Sequence, residues 1–450
     1  MVDVREASLI HGAAASRHTL LEVFSIVGYF TVLQLLIYTD RGVIASLVPF
    51  AQQKFHIHQL WSGLLGTGFM GGFMVGSPIA ASFGRGPRAG RVIGVGLLIW
   101  TLSVFTCGFA PSYPFLLLGR MCAGCGEAAF CNLAPPIIDD VAPVGKRSVL
   151  LAVYFSAIFV GLGIGFLVSG NVSSWGTGQG IFFAEGICMV PLCAVSIFRT
   201  RCFQGQEAQE LELAQAREGS RPGSERSSDT APGEQSGTFH SVWSIMTNRL
   251  YVLLVLGYCP TIFTIGGIAF WAPTYLRETF GDDGGSNILG AITMVTGLAG
   301  TTSGGFLLDT CTRRFGKRPL QAARICVALI TLASPICMVT AAATDKITFF
   351  TTLALGQFAI FATTTPANIA MMEAVPHWDR GLALGLCTLG SHALGDLIPP
   401  VLVGFIADCT GSLHAGMWLL VLWLLWSVLF WAGALAQSRR RLEWCGNCES

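Results

Sequence analysis

Long apolar runs alternate with short polar, basic interruptions along most of this chain. Apolar windows recur at roughly 22–50, 61–83, 91–110, 113–138, 148–170 and 180–198, then again at 250–276, 286–308, 320–343, 347–374, 381–407 and 415–436. Each is long enough for a helix to cross a hydrocarbon layer of about 30 Å, and too long for a barrel strand of about ten residues. Backbone polar groups in lipid must be satisfied within their own segment. The pattern therefore predicts an all-α polytopic membrane protein of 12 transmembrane helices in two six-helix bundles.

A polar stretch, Gln204 to Gly237, separates the two sets and contains hardly any large apolar side chain, so it cannot form a packed core of its own. The expected organisation is an N-terminal tail (1–21), a first bundle (22–199), a linker (200–248), a second bundle (249–437) and a C-terminal tail (438–450). Within the linker, Gln206–Glu218 is expected to be a helix at the membrane surface and Gly219–Gly237 to be disordered. Met1–His18 is polar and the first apolar run is too long for the core of a cleaved signal, so span 1 is expected to stay in the mature protein.

Composition supports this reading, with 52% hydrophobic residues and 12% charged where a soluble domain has about 25%. Mean hydropathy is +0.61. Charge adds orientation. With an even number of spans, one side carries both termini, the linker and the loops after spans 2, 4, 8 and 10, and collects 22 of the 27 Lys and Arg residues. The other side holds Lys54, Arg277 and Lys346, and Arg41 and Arg120 lie within spans. The positive-inside rule then makes both termini and the linker cytoplasmic. The basic residues are scattered through short loops as topology signals, so no nucleic-acid partner is expected. Most of the 15 cysteines lie within spans, where Cys behaves as a small hydrophobe. The Cys445–Cys448 pair lacks a second pair to complete a metal site, and neither metal nor cofactor is expected.

Asp40 and Arg41 stand side by side within span 1, where a charge costs about 2.5–3.5 kcal/mol on insertion scales. Such groups persist where they face a cavity or a partner. In span 4, Arg120 and Glu127 are seven residues apart and share one helix face. Either these four serve proton coupling, or they form a static ionic network that fixes spans 1 and 4. Glu185, Glu373, Asp139, Asp140 and Asp408 are left outside the site.

Several motifs carry a resemblance. The run from Gly304 to Arg318, with Gly305, Asp309, Arg313 and Arg314, resembles the G-x-L-x-D-R-x-G-R signature of the major facilitator superfamily. Its counterpart in the first half, Gly84 to Arg91, has Arg85 where the superfamily has Asp, so the gating role implied for that Asp is kept only by Asp309. Arg120-x-x-x-Gly124-x-Gly126-Glu127-Ala128 is similar to the charged span 4 of proton-coupled members. Together with Tyr38-Thr39-Asp40-Arg41, Gly267 to Pro273 and Ser391 to Asp396 with Pro399, it resembles the spinster family of lipid transporters over about residues 22–436.

The resemblance implies an alternating-access carrier of a single-chain lipid, sphingosine-1-phosphate or a lysophospholipid, with proton coupling in some members. It implies residence in the plasma membrane or in endosomal or lysosomal membranes. Asp40 and Glu127 are then the candidate proton acceptors. Arg41 and Arg120 are their charge partners, Arg41 being the candidate anchor for a lipid phosphate. Phe270, Trp271, His392 and Asp396 are candidate substrate contacts; for the aromatics the alternative is helix packing, and for His392 and Asp396 it is a pairing that glues the helix. A carrier of a sugar or small organic ion and a transport-inactive receptor or scaffold are the competing functions. No metal-ligand set or nucleophile–base pair supports an enzyme.

Overall fold

A computed structural model describes residues 20–84, 88–143, 146–170, 172, 175–198, 233–281, 284–376 and 379–448. Among the described residues there are helices and short connections and no strand. The first half comprises α1 (Leu20–Phe55), α2 (Gln59–Phe83), α3 (Ala89–Gly108), α4 (Tyr113–Val141), α5 (Arg147–Ser169) and α6 (Trp175–Phe198). A further helix, α7 (Gly233–Thr247), leads into the second half. There follow α8 (Arg249–Phe280), α9 (Gly285–Phe315), α10 (Arg318–Ala342), α11 (Lys346–Ala362) and α12 (Thr364–Glu373), then α13 (Arg380–Ser391), a π-helical turn (His392–Asp396), α14 (Pro399–Thr410) and α15 (Leu413–Cys448).

The twelve expected spans map onto these helices, with breaks in spans 10 and 11 that proline explains. Among the described residues, eleven helical segments are long and apolar enough to cross a membrane. The remaining span is α4, where Arg120, Glu127, Pro135, Pro136, Asp139 and Asp140 dilute the apolar composition. Span 10, expected as one helix, breaks at Thr363 because Pro366 has no N–H to offer the carbonyl of Ala362. Span 11 contains the π turn just before Pro399 and Pro400, two consecutive residues without amide donors. The linker is helical from Gly233, inside the stretch expected to be disordered; the expected helix Gln206–Glu218 lies outside the described residues, as does Arg85.

Caps fix the helix ends. The Asn248 side chain accepts the Leu250 amide at 3.2 Å and donates to the Ala374 carbonyl at 2.8 Å, tying the start of α8 to the end of α12. Asp345 accepts the Thr348 amide at 2.8 Å at the start of α11. That backbone hydrogen bond holds the Asp345 carboxyl below the usual carboxylate range.

Within the first half α1 packs on α5, and α4 packs on α2 and α3; the halves meet where α2 lies along α14, α5 along α9, and α1 against α8. These contacts gather toward the end that carries the α1–α2 turn. There Asp408, at the end of α14, accepts the amides of Gln59 and Leu60 at 3.0 and 2.9 Å and so caps α2 across the boundary between the halves. The Gln59 side chain donates to Glu278 at 2.9 Å, and the Arg277 guanidinium lies 4.5 Å over the Phe50 ring. Further in, Thr67 donates to the Leu397 carbonyl at 2.7 Å. Large apolar side chains such as Phe83, Phe306 and Ile347 face outward, as a lipid-solvated surface requires.

Candidate functional site

Consecutive helix residues point about 100° apart, so Asp40 and Arg41 diverge toward different side chains. The structure resolves them onto two partners, both on α4. Arg120 donates Nη1 to Asp40 Oδ1 at 2.8 Å and Nη2 to Asp40 Oδ2 at 2.5 Å, a bidentate pair with both side chains within 1% of complete burial. Arg41 donates Nη2 to Glu127 Oε1. Glu127 is fully buried, whereas the Arg41 side chain is 18% exposed and is the one member of the two pairs open to its surroundings.

Glycine makes this register possible. A Cβ at Gly124 would lie 1.9 Å from the Phe69 carbonyl oxygen, and one at Gly72 would lie 1.9 Å from that of Met121, so α2 and α4 touch backbone to backbone. The same crossing places the Phe69 ring between the two cations, 4.9 Å from the Arg41 guanidinium and 5.1 Å from that of Arg120. Tyr38 covers Arg41 from its own helix at 4.5 Å. Also against α1, Gly161 and Gly165 of α5 approach the Leu35 and Thr39 carbonyls, while Gly163 turns to Gly290 of α9. The glycine stripe is thus a two-sided packing seam.

Around Glu127 lie softer polar groups. Cys131 Sγ is 3.8 Å from Glu127 Oε1 and 4.0 Å from the side-chain oxygen of Gln34, Oε1, which also accepts from the Tyr154 hydroxyl at 2.9 Å. Several polar atoms of the cluster remain buried without a hydrogen-bond partner: Arg41 Nε, Arg120 Nε, Glu127 Oε2 and both carboxyl oxygens of Glu185.

The remaining expected residues fall into two other places. On the π turn, His392 Nδ1 meets Asp396 Oδ2 at 2.8 Å, and the imidazole lies 5.1 Å from the Phe73 ring of α2. Phe270 and Trp271 are buried, and their rings meet edge to face at 5.2 Å. The Trp271 indole N–H donates to the Pro400 carbonyl at 3.0 Å, so in this conformation it fastens α8 to α14.

At the distal motif, Arg318 reaches Asp309 at 3.4 Å, both half exposed, and the Arg314 guanidinium stands 5.4 Å over Phe315. Arg313 lies in the same last turn of α9. The glycine in tight contact there is Gly304, whose Cβ would sit 2.0 Å from the Ala362 carbonyl; Gly305 has 3.4 Å to Thr365. Sequence reasoning passed over two acids that the structure brings into play, Glu185 beside the charge cluster and Asp408 at the seam between the halves. A carboxylate near the middle of a span with no cation three or four residues away was the available signal for Glu185.

The sequence profile of the Major Facilitator Superfamily matches residues 30–395. The chain is similar to the "Probable sphingolipid transporter spinster homolog 3" of Arabidopsis thaliana, 28% identical over 90% of this chain and 82% of that protein. It is 27% identical to the "Sphingosine-1-phosphate transporter SPNS2" of Xenopus tropicalis, over 85% of this chain and 73% of that one. Among solved structures, a bacterial homologue of the human lysosomal transporter spinster, in an inward-facing and unoccupied conformation, superposes with a TM-score of 0.73 at 19% identity, covering 94% of this chain and 99% of that one.

Proposed function

The chain belongs to the major facilitator superfamily, and from that premise we propose that it is a proton-coupled, alternating-access carrier of a single-chain phosphate lipid. One observation carries the coupling: Arg41 and Glu127 neutralise each other at the open edge of a buried charge cluster. An anionic headgroup entering this site competes with Glu127 for the Arg41 guanidinium. A proton on Glu127 removes the competitor and leaves Arg41 as a free bidentate donor for phosphate. Proton and lipid therefore bind together and move in the same direction. The empty carrier re-forms the Arg41–Glu127 pair and returns neutral. The Asp40–Arg120 pair, two turns away on α4, holds α1 in register in the described conformation.

The gathered contacts between α2 and α14 and between α5 and α9 close the end bearing the α1–α2 turn, which the distribution of basic residues assigns to the non-cytoplasmic side. On this reading the described conformation is inward-facing. The substrate class rests on the named relatives and on a cluster that offers one accessible cation in an otherwise apolar bundle. Plasma membrane and endosomal or lysosomal membrane both suit such a carrier, and membrane lipid is its surroundings as well as the source of its substrate.

The experiment is uptake of radiolabelled sphingosine-1-phosphate and lysophosphatidylcholine into proteoliposomes, with and without an imposed pH gradient, comparing the native chain with Arg41→Ala. Uptake that rises with the gradient and is lost in Arg41→Ala supports the reading. Absence of uptake of either lipid by folded, monodisperse protein rejects the lipid substrate and leaves a polar-solute carrier to be screened.

A further inference from the structure

One buried acid takes no part in the paired charges. Glu185 lies near the middle of α6, is 5% exposed, and has both carboxyl oxygens buried without a hydrogen-bond partner. α6 packs on α3 and on α1. Among the described residues, the titratable and charged groups that bear most on Glu185 are Asp40 on α1, Arg120 on α4, the Cys107 thiol on α3 and Cys188 on its own helix. Asp40, Arg41, Arg120 and Glu127 balance to zero among themselves, so Glu185 is a fifth group without a cation of its own. An ionised carboxylate left alone in an apolar helix bundle is among the costliest groups a protein can bury. Arg120 is the cation that bears on it: both of its Nη atoms serve Asp40, while its Nε is buried without a hydrogen-bond partner.

We propose that Glu185 is a proton-relay residue that shares Arg120 with Asp40, an inference that rests on the proton-coupled reading above and extends it to a third helix. In the described conformation Glu185 holds a proton and Asp40 holds Arg120. In the exchanged state the O–H bond of Glu185 has broken, an O–H bond has formed on Asp40, and Arg120 donates its N–H groups to the Glu185 carboxylate. Protons and net charge are conserved: one neutral acid and one ion pair stand on each side of the step. The exchange transfers the anchor of α4 from α1 to α6, which releases α1 from the pair that fixes its register and gives Asp40 a proton to deliver. Glu185 acts through Arg120 and Asp40 and touches no substrate in this scheme.

Two measurements test it. Dicyclohexylcarbodiimide, an apolar reagent, modifies protonated carboxyls within the membrane. Applied to the reconstituted native chain at neutral pH and followed by peptide mass spectrometry, it is expected to modify Glu185 and to spare Asp40; an unmodified Glu185 overturns the proposal without any variant being made. In the second, lipid uptake is measured against pH for the native chain, Glu185→Gln and Glu185→Asp. Glu185→Gln is expected to lose most of the pH-driven component while retaining lipid exchange at equal pH, and Glu185→Asp to restore it. A Glu185→Gln profile that superimposes on a pH-sensitive native profile overturns the relay alone. A native profile indifferent to the gradient overturns proton coupling and the relay together.

Discussion

Removing Arg120 should cost the fold more than removing Asp40, and removing both should cost less than removing Arg120 alone. Asp40 is fully buried, Arg120 is 1% exposed, and two hydrogen bonds of 2.8 and 2.5 Å join them. Breaking such a pair from one side leaves an uncompensated buried charge and costs about 3–5 kcal/mol, whereas replacing both members by apolar residues is close to neutral. Glu185 tilts the comparison. Asp40→Leu leaves Arg120 with one remaining acid to turn to, so its cost falls at or below the lower end of that range. Arg120→Leu leaves Asp40 and Glu185 together without a cation, and its cost reaches the upper end. In a bundle the size of the first half, 1 kcal/mol shifts Tm by about 2–4 °C, which puts Arg120→Leu about 10–20 °C below the native chain. The assay is the fraction that stays monodisperse on size-exclusion chromatography after heating in detergent, for both single variants and the double variant. A double variant that loses as much as the two singles summed would refute the reasoning, because it would mean that the two groups do not depend on each other.

Other consequences are smaller but as definite. Gly124→Ala should destabilise by about 1–3 kcal/mol or more, since its Cβ would stand 1.9 Å from the Phe69 carbonyl, while Gly28→Ala, with nothing within 4 Å, should be neutral or slightly stabilising in the same heating assay. Asp408→Ala removes the cap that α14 lends to α2, worth about 0.5–2 kcal/mol. At tenfold per 1.4 kcal/mol, this raises the population open at that end about two- to thirtyfold, read as faster reaction of a Thr67→Cys variant with an impermeant maleimide added from the α1–α2 side; an unchanged rate would reject the gate. Gly316 has φ 62° and ψ −164°, a region closed to other residues, so Gly316→Ala should lower stability by about 1–3 kcal/mol in thermal unfolding without altering the pH dependence of uptake.

The span count and the two-half organisation were legible because bilayer thickness imposes a length on every helix that crosses it. The four charged residues of spans 1 and 4 were legible as a group for a similar reason: a charge among apolar residues is conspicuous. Their pairing was not. Arg41 and Arg120 were the expected charge partners of the two acids, but which acid each takes depends on the crossing of α4 over α1, set by Gly124 and Gly72 against α2, which sends Asp40 to Arg120 and Arg41 to Glu127. Asp408 was left outside the site as an acid close to a span end because the amides it caps belong to a helix almost 350 residues earlier. The breaks in spans 10 and 11 were present in the sequence as Pro366, Pro399 and Pro400, but whether proline kinks, breaks or ratchets a helix depends on which neighbour accepts the freed carbonyls. At the distal motif the tight contact belongs to Gly304 rather than Gly305, because the Ala362 carbonyl defines the line of approach.

The central claim is that the Arg41–Glu127 pair makes lipid and proton bind together. It is tested most directly by trapping a pH-sensitive dye inside proteoliposomes and adding sphingosine-1-phosphate or lysophosphatidylcholine outside with no imposed gradient. The account predicts that lipid entry acidifies the lumen for the native chain, and that Glu127→Gln still exchanges lipid but moves no protons. Lipid entry without acidification in the native chain, or acidification undiminished in Glu127→Gln, would contradict it.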